Sequence, residues 1–191
     1  MKGILFKPWK IKAIADSSPD FEWQTRRLDG LQEINAVPNK WGNEWRFNCV
    51  GGDWYASEKH GHQCSIKPRF QVGEVVYIKE AWSPCIVPMS AEAIHFKMGG
   101  WKHNQDDWHS PRFLKAANAR YFIKIKDVRP ERLQSITEAD IGKEGCGHIE
   151  ASVGLRIQWY KELWDSINPK YPWSSNPWVW RIEFEKVEKP Q

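Results

Sequence analysis

Apolar and polar residues alternate in several short runs of this chain, and that spacing predicts β-strands. The clearest run lies near the end, where apolar residues face mostly charged ones: Trp178, Trp180, Ile182 and Phe184 against Val179, Arg181, Glu183 and Glu185. Because side chains alternate between the two faces of a strand, one face is expected to be apolar and the other charged. Shorter runs predict strands over residues 3–6, 72–82 and 120–128.

Helical spacing appears in three places. Pro8 suits the first turn of a helix that ends at residues 17–19, where two serines precede a proline. Residues 135–138 fit a capping box, which predicts a short helix ending at Gly145. A longer helix is predicted over residues 153–167. Its expected apolar stripe consists of Leu155, Trp159, Leu163 and Ile167, flanked by Tyr160 and Trp164.

Two stretches, residues 29–69 and 84–118, show no clear periodicity. The first stretch, which carries Asn, Gly, Pro and scattered Trp, is predicted to be a long loop region with short strands, pinned by Trp41, Trp45 and Trp54. Both stretches are interpreted as insertions in one domain that spans residues 1–191. Strands separated by irregular crossings and short helices predict an α+β fold with a small mixed β-barrel and flanking helices, not a doubly wound sheet.

Composition supports a folded chain. Charged residues make up 27% of the 191 residues, but 13 Trp, 8 Phe and 5 Tyr can bury a large apolar area. The net charge of +4, from 28 Lys and Arg against 24 Asp and Glu, is mild. It permits a polyanionic partner without requiring one.

The chain is expected to be cytoplasmic and to have no membrane partner. Residues 1–7 lack the apolar core of a signal peptide, and no apolar run approaches the about 18 residues that span a bilayer. The four cysteines form no Cys-x-x-Cys pair, so reduced thiols are predicted.

The run Gln-Thr-Arg-Arg at residues 24–27 follows the first predicted helix. Arg26 and Arg27 offer forked donors suited to phosphate or carboxylate, and Thr25 adds a hydroxyl. The alternative is a solvated basic turn with ordinary salt bridges.

A second set of candidates lies at the end of the strand over residues 72–82. Lys79 and Glu80 either end that strand in solvent or line a barrel mouth, and Trp82 is expected beside a pocket. Partial burial would raise the pKa of Glu80 and suit it to acid or base chemistry. Glu144, beside Gly145, is a further carboxylate candidate, with a surface helix position as its alternative.

Cys49, His60, His62 and Cys64 have the residue types of a tetrahedral zinc site. Three of the four fall within five residues of a loop, however, a spacing that suits such a site poorly. No metal is therefore predicted. Phosphate-binding, dinucleotide-binding, zincin and nucleophile-elbow motifs are absent from the sequence, and no cofactor is predicted.

The order of these motifs resembles the ASCH family of PUA-like domains, particularly its phage and prophage-type members. The family-like strand at residues 72–82, which includes Lys79, Glu80 and Trp82, is the longest matching piece. The matching segments lie in order along almost the whole chain: 3–8, 24–27, 72–82, 111–113, 120–122, 127–136, 140, 144–145, 163–168 and 176–180.

The resemblance implies a cleft of the kind that PUA relatives use for RNA or modified bases. Family members include RNA-binding regulators, a ribonuclease and an amidohydrolase that deacetylates N4-acetylcytidine. In that amidohydrolase a Lys, a Thr and a Glu act together. Thr25 and Glu144 match the Thr and the Glu, whereas Glu22 stands at the Lys position and Trp23 at an earlier Thr.

The leading hypothesis is binding of RNA or of a nucleoside-like small molecule. An arginine would meet phosphate, Trp82 would stack, and the carboxylates would contact a base edge. The predicted cleft residues are Thr25, Arg26, Arg27, Lys79, Glu80, Trp82 and Glu144.

Two alternatives stay open. One is an amidohydrolase or ribonuclease with Thr25 as nucleophile, assisted by Glu144 and by Lys79 as a tentative amine. The other is a phage-related protein-interaction module that uses residues 29–69 and 84–118.

Overall fold

The computed structural model describes residues 1–36, 45–51, 53–57, 63–85, 93–97, 108–146 and 153–190. The strands are β1 (Gly3–Leu5), β2 (Trp23–Arg27), β3 (Arg46–Val50), β4 (Asp53–Ser57), β5 (Gln63–Ile66), β6 (Val75–Lys79), β7 (Trp82–Cys85), β8 (Ala93–Phe96), β9 (Phe122–Arg132) and β10 (Trp178–Val187). The helices are α1 (Pro8–Asp16), α2 (Gln32–Ala36), α3 (Glu138–Ile141) and α4 (Val153–Ile167). Single 3-10 turns cover Pro111–Phe113, Ala116–Asn118, Leu133–Ser135 and Trp173–Ser175, and a π-helical turn covers Gly142–Cys146.

The described strands form three sheets. The largest has five strands in the order β1-β6-β9-β10-β2, with β1 parallel to β6 and β6 antiparallel to β9. A three-stranded sheet has the order β3-β4-β5, and β7 pairs with β8. The α+β class predicted from the sequence is thus confirmed, whereas the described strands close no barrel.

The chain folds into two compact units. Unit 1 comprises residues 1–23, 73–125 and 184–191, and unit 2 comprises residues 24–72 and 126–183. In unit 1, Tyr77, Phe96, Leu114, Ala119 and Phe122 form a buried apolar cluster. The predicted single domain over residues 1–191 stays a prediction.

Unit 2 has its own apolar core. Leu133, Ile141, Tyr160, Trp164 and Val179 are among its buried members. Burying two aromatic residues of α4 accounts for much of the apolar area that holds this helix in place.

Helix α4 lies where the sequence predicts it, but its buried face differs from the predicted stripe. Leu155 and Ile167 are 61% and 46% exposed, whereas Tyr160 and Trp164 are 3% and 4% exposed. The two buried aromatics are one helical turn apart, so they share a face and together contact the core. The predicted stripe was therefore wrong at both ends.

The predicted capping box lies two residues later than expected. Thr137 is the N-cap of α3, its hydroxyl accepts from the Asp140 N–H at 3.2 Å, and the Asp140 carboxylate accepts from the Thr137 N–H at 3.0 Å. Ser135 instead ends a 3-10 turn. Both alternatives contain a hydroxyl followed three residues later by an acid, so the spacing alone could not separate them.

The two stretches predicted to be irregular contain short strands. Strands β3, β4 and β5 lie between residues 46 and 66, and β7 and β8 lie between residues 82 and 96. Trp54 of β4 packs edge-on against Trp180 at 5.8 Å, as expected of a tryptophan that pins this stretch. Trp41 lies outside the described residues.

The charged face predicted for the last strand is partly buried. Val179 and Arg181 on that face of β10 are 0% and 7% exposed. Arg181 is buried because polar partners surround it: its guanidinium contacts the carboxylates of Asp140 and Glu183 and the side-chain oxygen of Gln24. None of the described helices is long and apolar enough to cross a membrane.

Candidate functional site

The residues predicted to form one cleft belong to different units. Thr25, Arg26, Arg27 and Glu144 are in unit 2, and the remaining candidates, Lys79, Glu80 and Trp82, are in unit 1.

In unit 2, Arg26 lies against three carboxylates. Its Nε and Nη2 are both 2.7 Å from Glu131 Oε1, its Nη1 is 3.1 Å from Glu144 Oε1, and its Nη2 is 3.4 Å from Asp140 Oδ2. The hydroxyl of Tyr160 is also hydrogen-bonded to this guanidinium. These five residues are called the Arg26 cluster below.

Local structure explains how these groups converge. Arg26 is the penultimate residue of β2, and Glu131 is the penultimate residue of β9. The capping box fixes Asp140 at the start of α3. Glu144 lies in the π-helical turn, immediately before Gly145, whose φ of 109° lies in the region that favours glycine.

Burial and charge act on the pKa of each group in the Arg26 cluster. Burial lowers the pKa of Arg26, but the nearby carboxylates, Glu144 first among them, outweigh burial and hold it above its usual value. Burial raises the pKa of Glu131, against the opposing effect of Arg26. For Asp140, burial also acts upward, but hydrogen bonds from Thr137 and Gln24 bring the net pKa below its usual value.

Tyr160, like Glu131 and Asp140, is a member of the Arg26 cluster that was not among the predicted site residues. Burial, reinforced by the charge of Glu144, raises its pKa well above the usual value, so the hydroxyl stays protonated. In the sequence Tyr160 is one aromatic residue on a helix with several. No spacing rule indicates that its hydroxyl meets an arginine on a distant strand.

Thr25 points away from the Arg26 cluster. Neighbouring side chains on a strand face opposite sides, so Thr25 lies on the face of β2 opposite Gln24 and Arg26. Gln24 contacts Arg181 and Glu183 on the same side as the Arg26 cluster. Thr25 itself is only 5% exposed.

Arg27 is at the end of β2, on the same face as Thr25. Burial lowers the pKa of its guanidinium, and the carboxylates of Glu144 and Asp29 act in the opposite direction. Glu144 therefore influences both arginines of the 24–27 run. In this arrangement the Arg26 side chain has 0% exposure to solvent.

In unit 1, Trp82 and His109 pair through both backbone and rings. The His109 N–H donates to Trp82 O at 2.7 Å, and the ring centres are 4.8 Å apart with a tilt of 32°. Lys97 places its ammonium 6.0 Å from the ring centre of Trp108, the residue before His109. Trp82, Lys97, Trp108 and His109 are called the Trp82 cluster below.

The indole N–H of Trp82 is buried and has no hydrogen-bond acceptor among the described residues. A buried donor without an acceptor costs about 1–3 kcal/mol, so such groups usually meet an acceptor from water or a ligand. Trp82 was expected beside a pocket, and this N–H is the feature of the Trp82 cluster that calls for a partner.

Glu80 and Lys79 have structural partners in unit 1. The Glu80 carboxylate is 1% exposed and is held by two nitrogens of Arg120, one of them at 3.1 Å. The Arg120 guanidinium also lies over the Phe96 ring, 4.2 Å from its centre. Lys79 donates from Nζ to the backbone oxygen of Arg112 at 2.8 Å.

A segment that contains basic but no acidic residues begins within the Trp82 cluster, at Trp108. Residues 108–125, called the basic segment below, contain Lys and Arg but no Asp or Glu. Its four cations are all exposed: Arg112, Lys115, Arg120 and Lys124. The sequence offered this signal directly, since the absence of acids can be counted without a structure.

Comparison of the chain with protein-family models, curated proteins and solved structures found no match. The resemblance to ASCH domains therefore stays a prediction.

The zinc candidates are only partly described. Cys49 on β3 and Cys64 on β5 are exposed and belong to no disulfide, and His60 and His62 lie outside the described residues. Within the described part of the chain, no three His, Cys, Asp or Glu side chains are grouped so as to hold a metal ion.

The two clusters differ in what they can do chemically. The Arg26 cluster is buried, and its one guanidinium already contacts three carboxylates inside unit 2, so its role is structural. The Trp82 cluster combines aromatic rings, an indole N–H that lacks a described acceptor and nearby exposed cations. Those are the groups that bind the bases and phosphates of single strands.

Proposed function

We propose that this chain binds single-stranded RNA or a nucleoside-containing ligand through the Trp82 cluster and the basic segment of unit 1. The observation that carries the proposal is the buried indole N–H of Trp82, which has no acceptor among the described residues. The exposed His109 ring lies against the same indole, and a base can stack on such rings whatever its sequence.

Charge supports the same ligand. The exposed cations of the basic segment would meet phosphates, and no acidic side chain of that segment would repel them. Arg26 is not assigned this role, since its buried guanidinium already contacts three carboxylates. In the proposal Glu80 orients Arg120 instead of contacting a base, because its carboxylate is buried in that ion pair.

The proposal includes membership of the PUA-like ASCH family. Its support is the order of the motifs, which run along almost the whole sequence from residues 3–8 to 176–180. The proposal does not extend to catalysis. Thr25 faces away from Arg26, the residue that contacts Glu144, and this gives a Thr25–Glu144 reaction no geometric support.

Fluorescence anisotropy with a labelled RNA 10-mer tests the proposal. Wild-type protein should bind at low salt and lose affinity steeply as salt rises, because bound phosphates release counterions. Trp82→Phe, which removes the indole N–H, and His109→Ala should each weaken binding by about tenfold. Trp9→Phe changes another half-buried tryptophan of unit 1 and should have no effect.

Absence of binding at low salt would refute the proposal. Equal affinities of wild type, Trp82→Phe and His109→Ala would place the RNA elsewhere on the chain. Circular dichroism and thermal melting of each variant exclude loss of folding as the cause of weak binding.

A further inference from the structure

Phe113, in the basic segment, has the most exposed large apolar side chain in the described part of the chain, at 72%. A single exposed apolar residue is ordinary on a protein surface. The backbone around Phe113 is unusual, because hydrogen bonds hold the residues on both sides of it in place.

The first of these hydrogen bonds lie within the 3-10 turn Pro111–Phe113. Ser110 caps it: its hydroxyl accepts from the Arg112 N–H at 3.4 Å, and its backbone oxygen accepts from the Phe113 N–H at 3.1 Å. Pro111 at the first position fixes φ there.

Two side chains of strand β6 make further hydrogen bonds to this backbone. Lys79 donates to the backbone oxygen of Arg112 at 2.8 Å, and the Tyr77 hydroxyl donates to the backbone oxygen of Leu114 at 3.0 Å. The Leu114 side chain is 2% exposed. Phe113 is thus held outward between two tied residues, and little backbone entropy would be lost when its ring binds a partner.

The positive charges next to Phe113 in the sequence favour a negatively charged partner. Arg112 and Lys115 are both exposed, and no acid lies between residues 108 and 125. A nucleic acid strand matches both features, since a base covers the ring while neighbouring phosphates meet the cations. An uncharged apolar peptide would cover the ring and leave the cations unmatched.

Chain length limits the separation of Phe113 from the Trp82 cluster. Phe113 is four residues after His109, and four residues span at most about 14 Å. A short unstacked strand can cover that distance with successive nucleotides.

We infer that Phe113 is a second stacking platform, with Arg112 as its phosphate contact, and that the ligand is a single-stranded oligonucleotide instead of a free nucleoside. This inference rests on the proposed function, because it extends the same surface by at least one nucleotide. The base bound at the Trp82 cluster and the base bound at Phe113 belong to one strand.

The test compares uridine 5′-monophosphate with a uridine 10-mer RNA at low salt. Phe113→Ala should weaken binding of the 10-mer by about tenfold and change binding of the mononucleotide less than about twofold. Phe113→Tyr keeps the ring and should bind both ligands as the wild type does. Phe21→Ala is the matched control, since Phe21 is a 41% exposed phenylalanine of unit 1 that lies between two acids, Asp20 and Glu22.

The outcomes separate the two proposals. If Phe113→Ala leaves 10-mer affinity unchanged while His109→Ala weakens it, the inference fails and the proposed function stands. If Phe113→Ala weakens both ligands equally, Phe113 belongs to a mononucleotide site and the inference is again wrong. If the wild type binds neither ligand, the proposed function itself fails.

Discussion

Arg26 shows how one residue can organise the interior of unit 2. Its guanidinium is 0% exposed and lies within 3.4 Å of carboxylates on β9, on α3 and in the π-helical turn. Each of the three carboxylates is largely buried and comes from a different element of the fold. Arg26 supplies the positive charge that all three contact. Removing a buried charge partner usually costs far more than removing an exposed one.

Arg26→Met should therefore lower the free energy of unfolding by about 3–5 kcal/mol, because three carboxylates would lose their cation. Urea denaturation measures this change. The matched control is Arg129→Met: the Arg129 side chain is 53% exposed and lies 3.8 Å from Asp127, so about 1 kcal/mol or less is expected. Equal losses in the two variants would contradict the role given to Arg26.

The pKa of Asp140 predicts how the stability of the fold depends on pH. The pKa of its carboxyl in the folded chain lies below the ordinary value of 3.8, so the ionised form stabilises the fold above that pH. This contribution is lost as the pH falls through the lower, folded-state pKa. Glu131 acts with the opposite sign, because its pKa is raised and its ionisation disfavours the fold as the pH rises above 4.5.

Asp140→Asn keeps an oxygen that can accept from the Thr137 N–H but removes the charge. The variant should be less stable than wild type at neutral pH, and the difference should shrink as the pH falls below about 3.8. Urea titrations at several pH values give both curves. Parallel curves over the acid range would show that the Asp140 charge contributes nothing.

At the scale of elements, alternation and helical spacing in the sequence located only some of the described strands and helices. Alternation located β10, and helical spacing located α4. It was harder to predict which face of each strand or helix would be buried. Arg181 is buried on the charged face of β10 because Asp140, Glu183 and Gln24 come to it from elsewhere in the chain, and alternation describes only the strand itself.

The π-helical turn after α3 depends on one glycine. Gly145 has φ 109°, which a residue with a Cβ adopts at a cost of about 1–3 kcal/mol. Gly145→Ala should therefore destabilise unit 2 and displace the neighbouring Glu144 from Arg26. Thermal melting measures the first effect.

Gly142→Ala is the control for this turn. Gly142 has a helical φ of −58°, and an added Cβ would meet nothing within 4 Å. Alanine there should be neutral or stabilising by up to about 1 kcal/mol. The account of the turn would be wrong if both glycine variants melted at the wild-type temperature.

At the scale of the whole molecule, the sequence analysis identified Trp82 of the candidate site but not the residues that lie beside it. Trp82 followed from its place after a strong strand, but Lys97 and His109 come from stretches without periodicity and join it only in the fold. The sequence predicted that Thr25, Arg26 and Glu144 line the same cleft. Strand alternation instead separates Thr25 from the other two, and burial makes Arg26 an internal ion-pair partner.

The central claim is that RNA binds at the Trp82 cluster, and nitrogen-15 NMR of the tryptophan side chains tests it most directly. The Trp82 signal is assigned by its loss in Trp82→Phe. Adding the uridine 10-mer at low salt should shift that signal, whereas the Trp164 signal, whose N–H already donates to Tyr171 O at 2.8 Å, should stay in place. A Trp82 signal that does not move while the RNA is bound would contradict the account.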